Sequence, residues 1–502
     1  MSSGSRRQFM QITGAAGLTF ISSSGHAASF ALDDAPPLRP NVLPSANELR
    51  RQNIQMNNLG VRFTGNDAHR AHLEYLVKGL QARGLNVQRD TRTFTRWLAT
   101  NWAAKLTASG GVAIDIPATS YYPYSGATGP EGVTGELVKL EQIPFAFTPS
   151  PSGYRRREIA APGDLNGKVV FIEVAGRPSP LGHGSGPPWG FNPEGAQFPT
   201  HISALWGGIT PGFLGDLKKA GVVGAILGWT NVSDAQAHGQ YTPYGRPFQD
   251  LPCVWVGKQS VAKLRGAAGS GAKATVILQA DIAPNVPVDT LYAVLPGMSS
   301  DSVLIVESHS DGMNFLEENG SLGILALAKY FSQQPKESRK RDIVFVIANH
   351  FAREDLIGIF AWIRNHPDII KKAAAFVTLE HLGCREWFDN AAGQYVPSGK
   401  EEMSYAITDF KDPAGAMLES AKDGSNRLAV IRGPLVPGEG GPLYRAGVPG
   451  IAYFPAPNYL LSFADNGHID KYSHTFMHAQ IENLARAIHK LDGMSAEQIR
   501  AS

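Results

Sequence analysis

Cysteine is nearly absent: the 502 residues hold two, Cys253 and Cys384. Two thiols exclude a disulfide framework and a thiolate metal cluster. Their spacing leaves a pairing outside the cytoplasm open, and buried free thiols are the expectation. Charge is sparse too, at 18% of residues with a formal net charge of +2. No long basic run stands out, which argues against a nucleic-acid partner. Beyond the N-terminal segment no stretch is long and apolar enough to cross a bilayer, so no membrane association is expected once that segment is removed. Hydrophobic residues make up 43%, a globular composition. The length exceeds one simple core, and two domains are the natural division.

The N-terminus carries an order of features with its own meaning. "SRRQFMQITGAAGLTFISSSGHAAS" places Arg6 and Arg7 before a modestly apolar stretch and small residues around Ala27 and Ala28. Charge, apolar core and small-residue site in that order indicate a signal peptide over residues 1–28. The Ser-Arg-Arg-x-Phe pattern looks like a twin-arginine signal, which implies a periplasmic or secreted protein. Its removal takes away two arginines and no acid, leaving a nearly neutral chain.

Three textures follow. In the first, Leu73, Leu76, Val77 and Leu80 recur at helical spacing, Asn66 or Asp67 can cap the start, and Gly84 can end it. His69 and His72 read as a solvated face of that helix. From about 120 to 285, Gly/Pro-rich loops separate short β patterns such as "PGDLNGKVVFIEV" and "LPCVWVGKQSVAKL". These pieces resemble the protease-associated domain, a small β-rich insert of exported peptidases. His183, His201 and His238 fall in its loops as surface histidines. From about 286 the chain alternates strand and helix: "SVLIV", "GSLGILALAKYF", "DIVFVIA", "DLIGIFAWI", "AAFVTLE", "GIAYF" and "MHAQIENLARAIHKL". The alternation predicts an α/β fold, a mostly parallel or mixed sheet covered by helices on both faces. Residues 36–119 and 286–502 would form this main domain around the insert.

Ligands of such sheets bind beyond the carboxyl ends of the strands. "VESHSDGMNFLEENGSLG" lies at one such end and gathers Glu307, His309, Asp311, Glu317 and Glu318. His350 follows "DIVFVIAN", and Glu380 with His381 follows "AAFVTL". Zinc takes imidazole and carboxylate ligands converging from separate segments. His309 can supply one, Asp311 can accept its other N–H and fix the tautomer, Glu318 is placed to bridge two ions, and Glu380 and His468 could complete the set. A lone strand-end histidine is usually just polar; four segments offering His or an acid make a metal site.

The same order of elements resembles the M28 family of zinc aminopeptidases and carboxypeptidases over nearly the whole mature chain. "GVRFTGNDAHRAHLEYLVKGLQARGLNV", "LYAVLPGMSSDSVLIVESHSDG", "LEHLG" and "GPLYRAGVPGIAYF" carry the likeness. The resemblance implies one or two zinc ions, with His309 and Glu380 as ligands and Glu318 as the bridging carboxylate. The family normally has Asp in both acidic places, the bridging one within Asp-Asn-x-Ser-Gly, where this chain has "EENGSLG". Its Glu-Glu pair, general base then ligand, is replaced here by "ANHFAREDLIG". His350 lies near the ligand place, and no acid aligns with the base, leaving Glu354 and Glu317 as candidates. The last ligand is a loop histidine before the final helix, either His468 or His474, with His468 preferred; a strict alignment puts Phe463 there.

Two functions are compatible with these residues. One is an exported metal-dependent hydrolase cleaving a peptide or other small amide or ester bond with a metal-activated water. The other is a degenerate, non-catalytic M28-like binding protein, since a fold alone does not secure a function.

Overall fold

The computed structural model describes residues 38–141, 147–150, 153–156, 164–178, 190–191, 201–207, 213–243, 248–351, 358–408, 427–431 and 438–501. The signal segment, His183 and Glu354 lie outside the described residues.

The apolar runs read from the sequence form the centre of a mixed sheet. Ser299–His309 is flanked by Arg341–Ala348 and Ala373–Leu379, both parallel to it, and Gly450–Pro455 continues the parallel set beside Ala373–Leu379. Ser404–Thr408 runs antiparallel to Gly450–Pro455, and on the opposite side Lys273–Leu295 runs antiparallel to Arg341–Ala348. Every residue of Arg341–Ala348 and Ala373–Leu379 is buried, which is why these strands read as unbroken apolar runs and not as an alternation. Helices cover both faces. Ala46–Asn57, Asp67–Gln81, Gly320–Ser332 and His474–Gly493 pack one core; Gly358–Asn365 and Gly440–Arg445 pack the other through Trp362 and Leu443. Among the described residues no helix is long and apolar enough to cross a membrane.

The first predicted helix spans Asp67–Gln81 and is capped by the Asn66 side chain accepting from the His69 N–H, as the cap preference requires. The solvated face assigned to His69 and His72 is corrected: both are fully buried. Each meets a hydroxyl that makes burial affordable, His69 Nε2 with Ser310 Oγ at 2.9 Å and His72 Nε2 with Ser321 Oγ at 3.0 Å.

The β-rich region has its own four parallel strands, in the order Cys253–Val256, Gly224–Trp229, Val169–Val174 and Val133–Leu140. Two apolar clusters lie within it, one around Phe213, Trp229 and Trp255, the other around Phe171, Val261 and Leu264. Its hydrogen bonding nevertheless runs on into the main sheet. Lys273–Leu295 pairs with Val133–Leu140 near its start and with Arg341–Ala348 near its end. Residue 285, the division read from the sequence, falls inside this strand, which pairs along nearly its whole length with Val87–Thr107. An aromatic seam of Trp97, Tyr121, Tyr124 and Tyr241 joins the two parts against Phe351, Leu460 and Leu461. Cys253 and Cys384 are separate, buried, free thiols.

Candidate metal centre

The centre forms where three parallel strands stop. Ser299–His309 ends in His309, whose Nδ1 lies 2.8 Å from the Asp311 carbonyl oxygen. Only an N–H can make that bond, so Nδ1 carries a proton, and Nε2 is the ring atom left to face a cation, which would displace any proton there. The tautomer-fixing acceptor is therefore the backbone of Asp311; its carboxylate is 3.6 Å away. That carboxylate instead ties the loop to the neighbouring strand end. It accepts the backbone N–H groups of His350 (2.8 Å) and Phe351 (3.0 Å) and the Thr64 hydroxyl. Burial raises the Asp311 carboxyl, and His309, His69 and the Thr64 hydroxyl bring it well below the usual range.

Ala373–Leu379 ends just before Glu380 and His381. Adjacent residues of a strand point to opposite faces, but His381 takes a left-handed backbone with φ 58°, so both side chains enter the cleft. A histidine in that region is uncommon and marks a place where the backbone is held against its preference. Asn319 holds it, accepting the Leu382 N–H at 2.7 Å and donating to the Leu382 carbonyl at 2.6 Å. His381 Nδ1 donates to the Pro455 carbonyl at 3.1 Å, leaving Nε2 to face a cation, as in His309. Glu380 accepts the Glu439 N–H at 3.1 Å; its second oxygen lies 3.5 Å from His381 Nε2 and 3.9 Å from His309 Nε2.

Glu317 completes the group. Asn314 Oδ1 accepts the N–H groups of Leu316 and Glu317, turning the loop so that the adjacent glutamates diverge. One Glu317 oxygen lies 3.6 Å from His381 Nε2. One ligand atom each from His309, Glu317 and His381 falls within 4.8 Å of the other two, all buried. Among the described residues, His309 Nε2, His381 Nε2 and Glu317 Oε2 have no hydrogen-bond partner. Buried polar atoms are rarely left so. Two imidazole Nε2 atoms and a carboxylate aimed at one point fit a divalent cation, with Glu380 beside it as a further oxygen donor. The electrostatics agree: burial alone would lower the His309 imidazole, yet Asp311, Glu380 and Glu317 push it up to about 9. The same field favours any positive charge placed there. Glu307, two residues earlier in the strand, has its carboxyl pushed well above the usual range by burial, reinforced by Glu380.

The remaining sequence candidates are placed elsewhere. Glu318 is paired with the buried guanidinium of Arg62. His350 Nδ1 is hydrogen-bonded to Glu439, and its ring stands 5.4 Å from that of His309, on the rim. His468 Nε2 bonds Ser462 Oγ at 2.8 Å and its ring packs on Tyr459. His474 begins the last long helix, and Phe463 packs on Trp102 and Tyr121. Of the insert histidines, His238 is exposed and His201 stacks on Phe388. Sequence reasoning noted His381 at a strand end but gave it no ligand role, and it missed Glu439 and Arg62. His381 had the signal of a second polar residue at a strand end; Arg62 had none beyond an excess of nearby acids.

No family model and no curated protein matches the sequence. Solved structures do resemble the fold. The aminopeptidase from Aneurinibacillus sp. strain AM-1 is 16% identical, covering 89% of this chain and 93% of that one with a TM-score of 0.57. The zinc aminopeptidase BSAP from Bacillus subtilis is 14% identical over 91% and 98%, TM-score 0.58. A peptidase M28 precursor from Shewanella amazonensis SB2B is 14% identical over 89% and 97%, TM-score 0.60. At this identity the likeness shows the fold: the chain has the α/β architecture of M28-type zinc aminopeptidases.

Proposed function

We propose that this protein is an exported, zinc-dependent hydrolase of the M28 peptidase type, acting on a peptide or another small amide or ester. One observation carries it: the unpartnered Nε2 atoms of His309 and His381 and the Glu317 carboxylate converge, buried, at the carboxyl ends of parallel strands. His309, His381 and Glu317 would hold the ion, with Glu380 beside them. A divalent cation there supplies Lewis-acid polarisation of a carbonyl and lowers the pKa of a water.

The chain's own residues do the rest. Asp311 and Pro455 accept the Nδ1 protons and so keep both Nε2 atoms on the cleft. His350, its ring the more exposed of the cluster and its Nδ1 on Glu439, is placed to exchange a proton with a substrate amide at the rim. The base is assigned among Glu354, the acid nearest the family's base position in sequence, Glu317 and the His350–Glu439 pair. The region from 120 to 285 is read as a protease-associated insert, whose buried Tyr124 and Tyr241 pack with Phe351, the residue after His350. The second reading, a non-catalytic binding protein, is favoured by the commitment of Glu318 to Arg62.

Elemental analysis of the purified protein beside a screen of aminoacyl anilides, amides and esters separates the two. Zinc and hydrolysis, both lost in His309→Ala and His381→Ala, support the hydrolase; absence of both in the wild type supports the binding protein. For export, changing Arg6 and Arg7 together to lysine should leave the precursor in the cytoplasm. Normal export of that variant would point to the general secretory route.

A further inference from the structure

We infer that the centre holds a single divalent cation, because the buried guanidinium of Arg62 keeps Glu318 out of it; this rests on the metal-centre reading above. Glu317 and Glu318 are adjacent, buried acids, and a carboxylate in the second position is what a two-ion site needs in order to bridge. Glu318 has only one oxygen left for that, and a carboxylate spanning two ions uses both. Its Oε1 accepts the Arg62 Nε–H. Its Oε2 has no hydrogen-bond partner among the described residues and lies against Gly312, 2.0 Å from where a β-carbon on that glycine would stand; Glu318 is not in the group whose ligand atoms converge.

Arg62 is itself immobile. Its NH1 donates to the Met56 carbonyl at 3.1 Å and to that of Gly60, and its NH2 donates to the Asn314 carbonyl at 2.8 Å. Its backbone is bridged to Gly312 in both directions, at 2.8 and 3.0 Å. Moving Glu318 onto a metal would leave a fully buried guanidinium without its counter-charge, the costly half of breaking a buried ion pair. The guanidinium thus supplies the positive charge that a second ion would have brought, and Arg62 and Glu318 are positioning residues for the loop that presents Glu317.

The test is zinc stoichiometry, read by equilibrium dialysis against zinc with elemental analysis, on the full-length mature protein. Wild type should bind one ion per chain. Glu318→Gln should keep that ion with affinity within a few-fold, whereas Glu317→Gln should weaken it by more than ~10-fold. Should Glu318→Gln misfold, the double change Arg62→Met with Glu318→Met replaces the pair by apolar side chains, a substitution cores often accept, and should also bind one ion. Two ions in wild type, or loss of the ion in a folded Glu318→Gln or folded double variant, overturns the inference while leaving a metal centre. No zinc in wild type overturns the centre itself.

Discussion

His69 shows how much of this molecule depends on single polar atoms. The Gly65 N–H donates to its Nδ1 at 3.1 Å, so Nε2 must carry the proton given to Ser310. Burial lowers its pKa to about 4, and burial likewise lowers His350 to about 4. The unfolded chain titrates near 6.5, so it binds more protons than the folded one between these values. Stability is therefore full above about 6.5 and falls as the pH drops towards 4. Each such histidine contributes roughly 3 kcal/mol over that window. Urea melts at pH 7 and pH 5 should show the loss, and His69→Gln should make it smaller; an unchanged difference would mean His69 is not held neutral. At Gly312 the constraint is space. A β-carbon there would meet Glu318 Oε2 at 2.0 Å and Glu317 Cγ at 2.7 Å, so Gly312→Ala should displace both glutamates and weaken zinc binding by at least ~10-fold, as dialysis would report. His309 and Glu380 were legible because each stands at the end of an apolar run, at a position that the M28 resemblance makes a ligand. His381 was not, because strand alternation sends the neighbour of Glu380 to the other face, and only the left-handed turn at its own backbone reverses that.

At the scale of elements, the helix Gly320–Ser332 fixes the metal loop to the sheet. All but two of its residues, Lys329 and Ser332, are buried, so it reads as an apolar run and not as an amphipathic stripe. The helix Asp67–Gln81 approaches it at Gly79, where a β-carbon would lie 2.9 Å from Leu325 Cδ1. Leu325→Ala should cost about 2–5 kcal/mol in denaturant unfolding, since packed neighbours on both sides limit collapse of the cavity. A cost below about 1 kcal/mol would mean the helix packs loosely. The central strands were readable from β-branched runs with no charge inside them. The two longest strands were not readable at their full length: the alternating start of Val87–Thr107 reads as a strand, but farther on its side chains are exposed in an irregular order and two bulges shift its register. Lys273–Leu295 also carries Pro284 and Pro287, residues that usually argue against a strand.

Across the whole molecule, a metal held as proposed would link binding to folding, because the unfolded chain does not assemble His309, Glu317 and His381. Zinc at a hundredfold excess over its Kd should stabilise by about 2.7 kcal/mol. Thermal melts with zinc and with a chelator should differ accordingly, and the His309→Ala protein should show no difference. The pairing of Val87–Thr107 with Lys273–Leu295 has another consequence. Its outer rung joins Thr107 to Lys273 and its inner end joins Val87 to Ala293, so residues 108–272 leave and return side by side. A two-residue Asn-Gly turn closing that rung would make an ordinary hairpin, and the excursion is thereby a removable module. What excision would strip from the cleft is specific: the Tyr124 hydroxyl on the Phe351 carbonyl at 3.1 Å and the Tyr241 N–H on the Leu461 carbonyl at 2.6 Å. The shortened chain would keep His309, Glu317 and His381 and lose the packing behind Phe351, so if the metal centre is as proposed, zinc binding would survive an excision that reshapes its surroundings.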